Sequence, residues 1–359
     1  MKWILALLIF MSTPVFGQTQ KHYPSSAVSY YLRHLAAQFV GRPLNKSEIN
    51  LVETKRETAI AEVIENWMKN DFFVKSSRRM LETQLTTSGA TSTVDFGLPG
   101  NLMEYIVTNK LPLSEIVTAN YCVKNGQKTE CDSGAPYAAG VLTTKAFLVS
   151  NDGRFNLSRA GKMLKQFTCQ EYPLEVKLQI PILRERMIPM FQVDESDAGD
   201  FGNGVACYRC HSQFGAHAQL FVKFSGEGRY IASATGEQDP NQEMGKSFSG
   251  TYTSHLEGSE KSSEASQMFG DEVANLAEAA KVMASNPLFL SCSIRNVLKH
   301  FLRVSYIDSK NINEPLLTEI SQKILNIEKE PTLNTILLQT LTHPLVIDSV
   351  LVSGVKNEI

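Results

Sequence analysis

Cys207-Tyr208-Arg209-Cys210-His211 sets two thiols three positions apart, with an imidazole directly after the second. That pattern carries a specific chemistry, the covalent attachment of a c-type haem. Two sulfurs at this spacing can form thioethers with the porphyrin vinyl groups from one turn of helix. The adjacent imidazole then falls under the ring, where it can bind iron as the proximal ligand. Tyr208 and Arg209 would shape and charge the exposed edge. Zinc is the rival use of the same side chains. It needs a fourth ligand and normally a second paired cluster. No second Cys-x-x-Cys occurs, although His217 is close in sequence.

The ligand on the other face of the iron decides what such a haem does. A methionine raises the potential relative to a second histidine, and an empty position permits ligand binding or catalysis. The candidates are Met268, at a Met-Phe-Gly boundary before a helix, and Met244, in the polar stretch Glu243-Met244-Gly245. His217 and His255 are the histidine alternatives, and a site with no protein ligand is the remaining one. His22, His34, His300 and His343 read as surface or helix residues.

Covalent haem attachment belongs to an exported compartment, and the start of the chain agrees. Met1 and Lys2 precede an apolar run from Trp3 to Met11, which is too short to span a bilayer. Pro14 and Val15-Phe16-Gly17 follow, so residues 1–17 read as a signal peptide cleaved before Gln18. The tail from Leu345 to Val355 is apolar but short and carries Asp348. The mature chain is therefore expected to be exported, periplasmic in a bacterium, with no stable membrane span. Of 359 residues, 43% are hydrophobic and 20% charged, ample for a buried core. A formal net charge of -2 supplies no global field for nucleic acid or an anionic membrane.

The chain has six cysteines. With Cys207 and Cys210 given to haem, the even remainder in an exported chain suggests disulfides. Cys122 and Cys131 flank Asn125-Gly126, a tight-turn signal that brings them near each other. Cys169 is then left to pair with Cys292 across the whole haem region. Free buried thiols are the alternative for these four.

Helical periodicity dominates the elements that must position the motif. Val28, Tyr31, Leu32, Leu35 and Phe39 mark a helix over Ser26 to Val40. Asn45 or Ser47 caps a helix running through Trp67, and a third spans Asp71 to Leu85. Thr86 to Asn101 reads as a loop. Short helices follow at Leu102 to Thr108 and Leu113 to Ala119, and another near Arg159 to Thr168. Asp194 to Gly204 is acidic and glycine-rich, a linker into the haem motif. Ser233 to Gln267 is a long polar stretch of the kind that is functional or mobile. Helices resume at Asp271 to Met283, Pro287 to Val304, Glu314 to Leu325 and Thr332 to Leu341.

Several of these segments resemble one group of exported bacterial haem proteins, the planctomycete-type cytochromes built from helical domains of unknown function. Leu102 to Val107, with Leu111 to Tyr121, is similar to their segment written RPxxELLTADYTF. Gly140-Val141-Leu142-Thr143 and Ala146-Phe147-Leu148 resemble their GLLTxxSFL stretch. Ser158-Arg159 and Gly161-Lys162, ending at Cys169, resemble SPVxRGxWVLExLLC with a small slip in length. Phe224, Gly228, Arg229 and Tyr230 match NFDxxGRW/Y, Phe289 and Cys292 match a helix with FxxC, and Leu316 to Val346 resembles the terminal helical domain. Where the family has Ile-Asp-Pro-x-Gly after the haem histidine, Phe214-Gly215-Ala216-His217-Ala218 stands here. The resemblance covers most of Tyr30 to Val346. It implies an α-rich fold, one c-type haem and a Cys169–Cys292 pairing.

Together these readings predict a mainly α protein with a helical domain over residues 24–175, a linker and haem-binding segment over 176–268, and a C-terminal helical cap over 269–359. The expected function is one-electron transfer by a single haem c, to an unidentified redox partner protein. An open-site haem enzyme reactive with peroxide or small ligands is the first alternative. An envelope scaffold or sensor with a structural haem is the second.

Overall fold

The computed structural model describes residues 22–87, 89–174, 179–192, 205–237, 254–303 and 314–357. The fold is mainly helical, as expected. Five helices open it: α1 (Ser25–Phe39), α2 (Lys46–Lys55), α3 (Ala59–Trp67), α4 (Asp71–Leu85) and α5 (Leu98–Thr108). A short α6 (Glu115–Thr118) leads into a hairpin of β1 (Cys122–Lys124) and β2 (Gln127–Thr129). Then come α7 (Lys145–Ser150), α8 (Leu157–Thr168) and α9 (Val205–Gln219), which carries the haem motif. A second hairpin, β3 (Ser266–Met268) and β4 (Asp271–Val273), precedes the final helices. These are α10 (Leu276–Ser285), α11 (Pro287–Phe301), α12 (Glu314–Ile327), α13 (Leu333–Leu341) and α14 (Pro344–Asn357).

Local chemistry explains most boundaries. Asn45 caps α2 through a reciprocal box with Glu48. The single helix expected from there to Trp67 is two, because Arg56 takes φ 50° and a 3₁₀ turn intervenes. Pro99 in the first turn of α5 starts that helix earlier than Leu102, and so shortens the expected loop. Asp271 to Val273, read as helix, forms β4 instead, and Asn275 caps α10 behind it. Asn125 and Gly126 both take positive φ, 52° and 74°, as the β1–β2 turn requires.

One continuous core runs from Tyr23 to Val350. The five apolar residues predicted for α1 are all buried in it. Tyr31 donates to the Leu341 carbonyl at 2.7 Å, tying α1 to the end of α13. Phe39, Phe73 and Phe301 cluster where α1, α4 and α11 meet. Helices on both sides of α9 in sequence thus share one interior, and the 268/269 boundary does not separate two cores. No single described helix is long and apolar enough to cross a membrane.

Both expected disulfides are present, Cys122–Cys131 within the first hairpin and Cys169–Cys292 between the end of α8 and α11. They fit an oxidising compartment. Residues 1–17, read as a signal peptide, lie outside the described residues. His343 is not a surface residue. It is buried and its Nε2 is 3.2 Å from Glu319.

Candidate functional site

The haem motif sits on α9, so Tyr208, Arg209, Cys210 and His211 occupy one turn of helix. The side chain of Cys207 lies outside the described residues. Cys210 keeps a free, partly exposed thiol. Tyr208 donates to the Ile182 carbonyl at 2.8 Å, and the Arg184 guanidinium stands 5.2 Å from its ring. The Ile182 amide donates in turn to the Ser212 carbonyl at 2.9 Å. A segment preceding the linker is thereby laid along α9.

That segment delivers apolar cover. Ile182, Met187, Phe191, Ala216 and Leu256 form a small cluster separate from the main core. His211 stacks on Phe191 with ring centres 4.5 Å apart and planes 27° from parallel. Phe155, just before α8, meets His211 edge-on at 6.3 Å. An open cleft of about 650 Å³ runs beside this cluster, with Ile182, Ala216 and Leu256 in its wall. Ile180 and Leu183 at its edge are each 57% exposed.

His255 completes the site. It is 1% exposed, and its ring packs against Phe155 at 4.9 Å and Phe191 at 5.5 Å. Its Nε2 lies 3.0 Å from Nδ1 of His211. Burial, and after it the field of His211, holds the His255 imidazole well below the usual histidine range. It is therefore neutral at pH 7, with one N–H and one lone pair. When Nε2 of His255 accepts, Nδ1 of His211 donates and Nε2 of His211 keeps its lone pair. Nδ1 of His255 has no hydrogen-bond partner among the described residues. An orphaned buried donor of this kind costs about 1–3 kcal/mol.

Backbone bonds fix His255 on both sides. The Ile188 amide donates to the His255 carbonyl at 3.0 Å, and the Glu257 amide to the Arg186 carbonyl at 3.0 Å. Ser254 hydrogen-bonds Gln219 at the end of α9. Gln219 in turn donates to the Glu260 carbonyl at 3.2 Å and the Lys261 carbonyl at 3.3 Å. Gly215, one turn after His211, makes the close approach possible. A Cβ there would stand 2.8 Å from Cβ of His255 and 2.9 Å from Cδ1 of Ile182.

The other candidate ligands go elsewhere. Met268 is fully buried in the main core rather than in the small cluster beside His211. His217 lies six residues beyond His211, about 120° round the helix. It is fully buried, its Nδ1 takes the Tyr172 hydroxyl as partner, and its Nε2 has none among the described residues. Burial alone pushes its pKa down to about 3. Met244 lies outside the described residues. Among the described residues no group of three or more His, Cys, Asp or Glu side chains is placed to hold a metal ion.

Phe155, Phe191 and Gly215 in the site, and Arg159 outside it, were not singled out from the sequence. Arg159 had a legible signal. It falls on the apolar stripe of α8 with Ala160, Met163, Leu164 and Phe167, where a charge needs an explanation. His255 had none beyond being a histidine in a polar stretch. The donor set suits a covalently held haem: a free thiol, an imidazole beside it on the same helix turn, and aromatic walls around that imidazole.

Comparison of the chain with protein-family models, with curated proteins and with solved structures finds no match in any of the three.

Proposed function

We propose that this chain is an exported, in a bacterium periplasmic, c-type cytochrome that carries one covalently attached haem and passes single electrons to a partner protein. The observation that carries the reading is the fate of the cysteines. Four are consumed by disulfides, while Cys210, in the Cys-x-x-Cys-His motif, keeps its thiol free. A thiol left over in an oxidising setting, at haem-attachment spacing from a second cysteine and next to a histidine, has a ready use in thioether formation. Cys207 and Cys210 would hold the porphyrin, and His211 would bind the iron through Nε2, since its Nδ1 is engaged with His255. The group would supply reversible one-electron chemistry. Phe155 and Phe191 form apolar walls beside the imidazole, and Tyr208 and Arg184 anchor the edge of α9. The segment resemblance to the planctomycete-type cytochromes supports the same cofactor and compartment.

The test is expression with a c-type maturation system. The denatured protein should retain one haem by mass. Release of all haem into acid-acetone would sink the reading. Cys207→Ala together with Cys210→Ala should abolish attachment.

A second reading, an open-site haem enzyme, draws on one observation. Met268 is committed to the main core, His255 to Nδ1 of His211 and His217 to the Tyr172 hydroxyl, so no described candidate stands ready as a distal ligand. Rapid carbon monoxide binding by a high-spin resting protein would favour it. A six-coordinate, low-spin spectrum in both redox states would favour the carrier, with Met244 as the remaining named ligand.

A further inference from the structure

We infer that His255 is a positioning residue for His211, a hydrogen-bond acceptor that fixes the imidazole and sets how strongly it donates to iron. This rests on the haem reading above. It differs from a ligand role because the contact is made to Nδ1 of His211, at 3.0 Å. A ring nitrogen that shares a proton at that distance is not available to a metal, so the ligand atom is the other nitrogen.

Three features make His255 suited to this work. It is held from both flanks by backbone bonds to the segment around Met187 and by Ser254 to Gln219, so the ring has a defined place. It packs against Phe155 and Phe191, the same rings that border His211. It is buried, and its Nε2 faces Nδ1 of His211 at hydrogen-bond distance. Gly215 is the sequence feature that lets the two chain segments come this close. Partners of this kind fix the orientation of a metal-binding histidine and raise its basicity. A more basic imidazole favours ferric over ferrous iron, so the contact should hold the reduction potential down.

The experiment uses the full chain with its haem. His255→Leu removes the acceptor, and His255→Gln puts an amide oxygen close to where Nε2 was. The Leu variant should keep covalent haem, shift the potential upward, and speed solvent exchange of the His211 ring proton. The Gln variant should recover most of both changes, which a merely structural residue would not produce. In the reduced wild-type protein, nitrogen-15 coupling across the hydrogen bond between the two rings should be detectable, a readout that needs no variant. Unchanged potential and proton exchange in the Leu variant, or absence of that coupling, overturns the positioning role and leaves the haem reading intact. A Leu variant that turns high-spin and binds carbon monoxide where wild type does not makes His255 an iron ligand, and also overturns it. Wild-type protein without covalent haem ends both readings together.

Discussion

Arg159 and His255 are both buried, and their surroundings treat them differently. Arg159 is fully buried, yet its guanidinium donates to the carbonyls of Leu148, Phe224 and Ser225 at 2.9, 2.9 and 2.6 Å. Asn156 accepts another bond at 2.8 Å, and Asp152 lies 3.2 Å away. This arginine joins α7, α8 and the turn after α9 into one unit. His255 and His217 each have one engaged ring nitrogen and one without a partner among the described residues. A buried group with its hydrogen bonds filled stabilises the fold it sits in. Buried imidazoles with a nitrogen to spare cost stability; His217 lies on α9 and His255 packs against it, while a third, His343, sits between α13 and α14. The difference sets a half of the molecule built on α8 and its neighbours, where the buried charge has its hydrogen bonds filled, against a half around α9, where two buried imidazoles keep a nitrogen without a partner among the described residues.

That contrast is broken most directly by severing α8 from α11. In the chain-entropy model, Cys169→Ser opens a long loop and should cost about 5 kcal/mol, against about 2.7 kcal/mol for Cys122→Ser in the short hairpin. Urea unfolding of the two variants should rank them in that order. Equal losses would mean that the α8–α11 junction is held by packing alone. Next comes the arginine itself. Arg159→Met strands the acceptors it satisfied and leaves Asp152 without its guanidinium. Breaking a buried charge network by removing one partner costs about 3–5 kcal/mol. A loss under about 1 kcal/mol, the size of a surface pair, would deny Arg159 the role of a hub.

The sequence made the first half far more legible than the second. The stripe of α1, the capping residue Asn45 and the Asn125-Gly126 turn are local signals, each written within a few residues of its effect. The pairing of Cys169 with Cys292 followed from counting. The split at Arg56 and the strand at Asp271 escaped because a positive φ and a hairpin register depend on neighbours that a window does not contain. Within the site, the motif on α9 could be read directly, since its chemistry lies in spacing. The contact of His255 with His211 could not, because 44 residues separate them and no periodicity links them. Phe191 and Phe155 are ordinary core-type residues until the fold sets them beside a histidine.

Gly215 offers a finer probe of the α9 half. Gly215→Ala places a methyl against Cβ of His255 and the Ile182 side chain. Overpacking of this kind costs about 1–3 kcal/mol. The loss should appear in the same urea experiment, and it should come with a displaced His255. Changed ring chemical shifts for His211 and His255, with the rest of the spectrum preserved, would show this. An alanine variant as stable as wild type, with both rings unmoved, would mean that α9 can tilt away from the 254–257 segment at no cost.

The smallest expected effect is the share of one buried imidazole, His217, in the dependence of stability on pH. His217 titrates near 3 in the fold because burial disfavours its charged form, whereas an unfolded histidine titrates near 6.5. Between these values the unfolded chain binds the extra proton. Stability contributed by neutral His217 is therefore complete above about pH 6.5 and is lost as the pH falls toward 3. The slope is about 1.4 kcal/mol per pH unit for one such group. Among the described residues the groups beside His217 are the Tyr172 hydroxyl, itself held far above its ordinary range by burial, and the Phe269 ring, and none of these carries a charge that opposes the effect. His255, His300 and His343 act in the same direction, each lowered first by burial, and His300, at about 4, also by Arg79 and Arg303. Carboxylates held low, such as Glu48, respond only at more acid pH, which leaves pH 5 to 6.5 as the histidine window. His217→Gln should keep a partner for Tyr172 and flatten the slope in that window by one histidine's share, leaving those of His255, His300 and His343. If the variant and the wild type lose stability in parallel between pH 6.5 and 5, His217 is solvated in the folded protein, and the contrast between a filled and an unfilled half weakens at its most buried point.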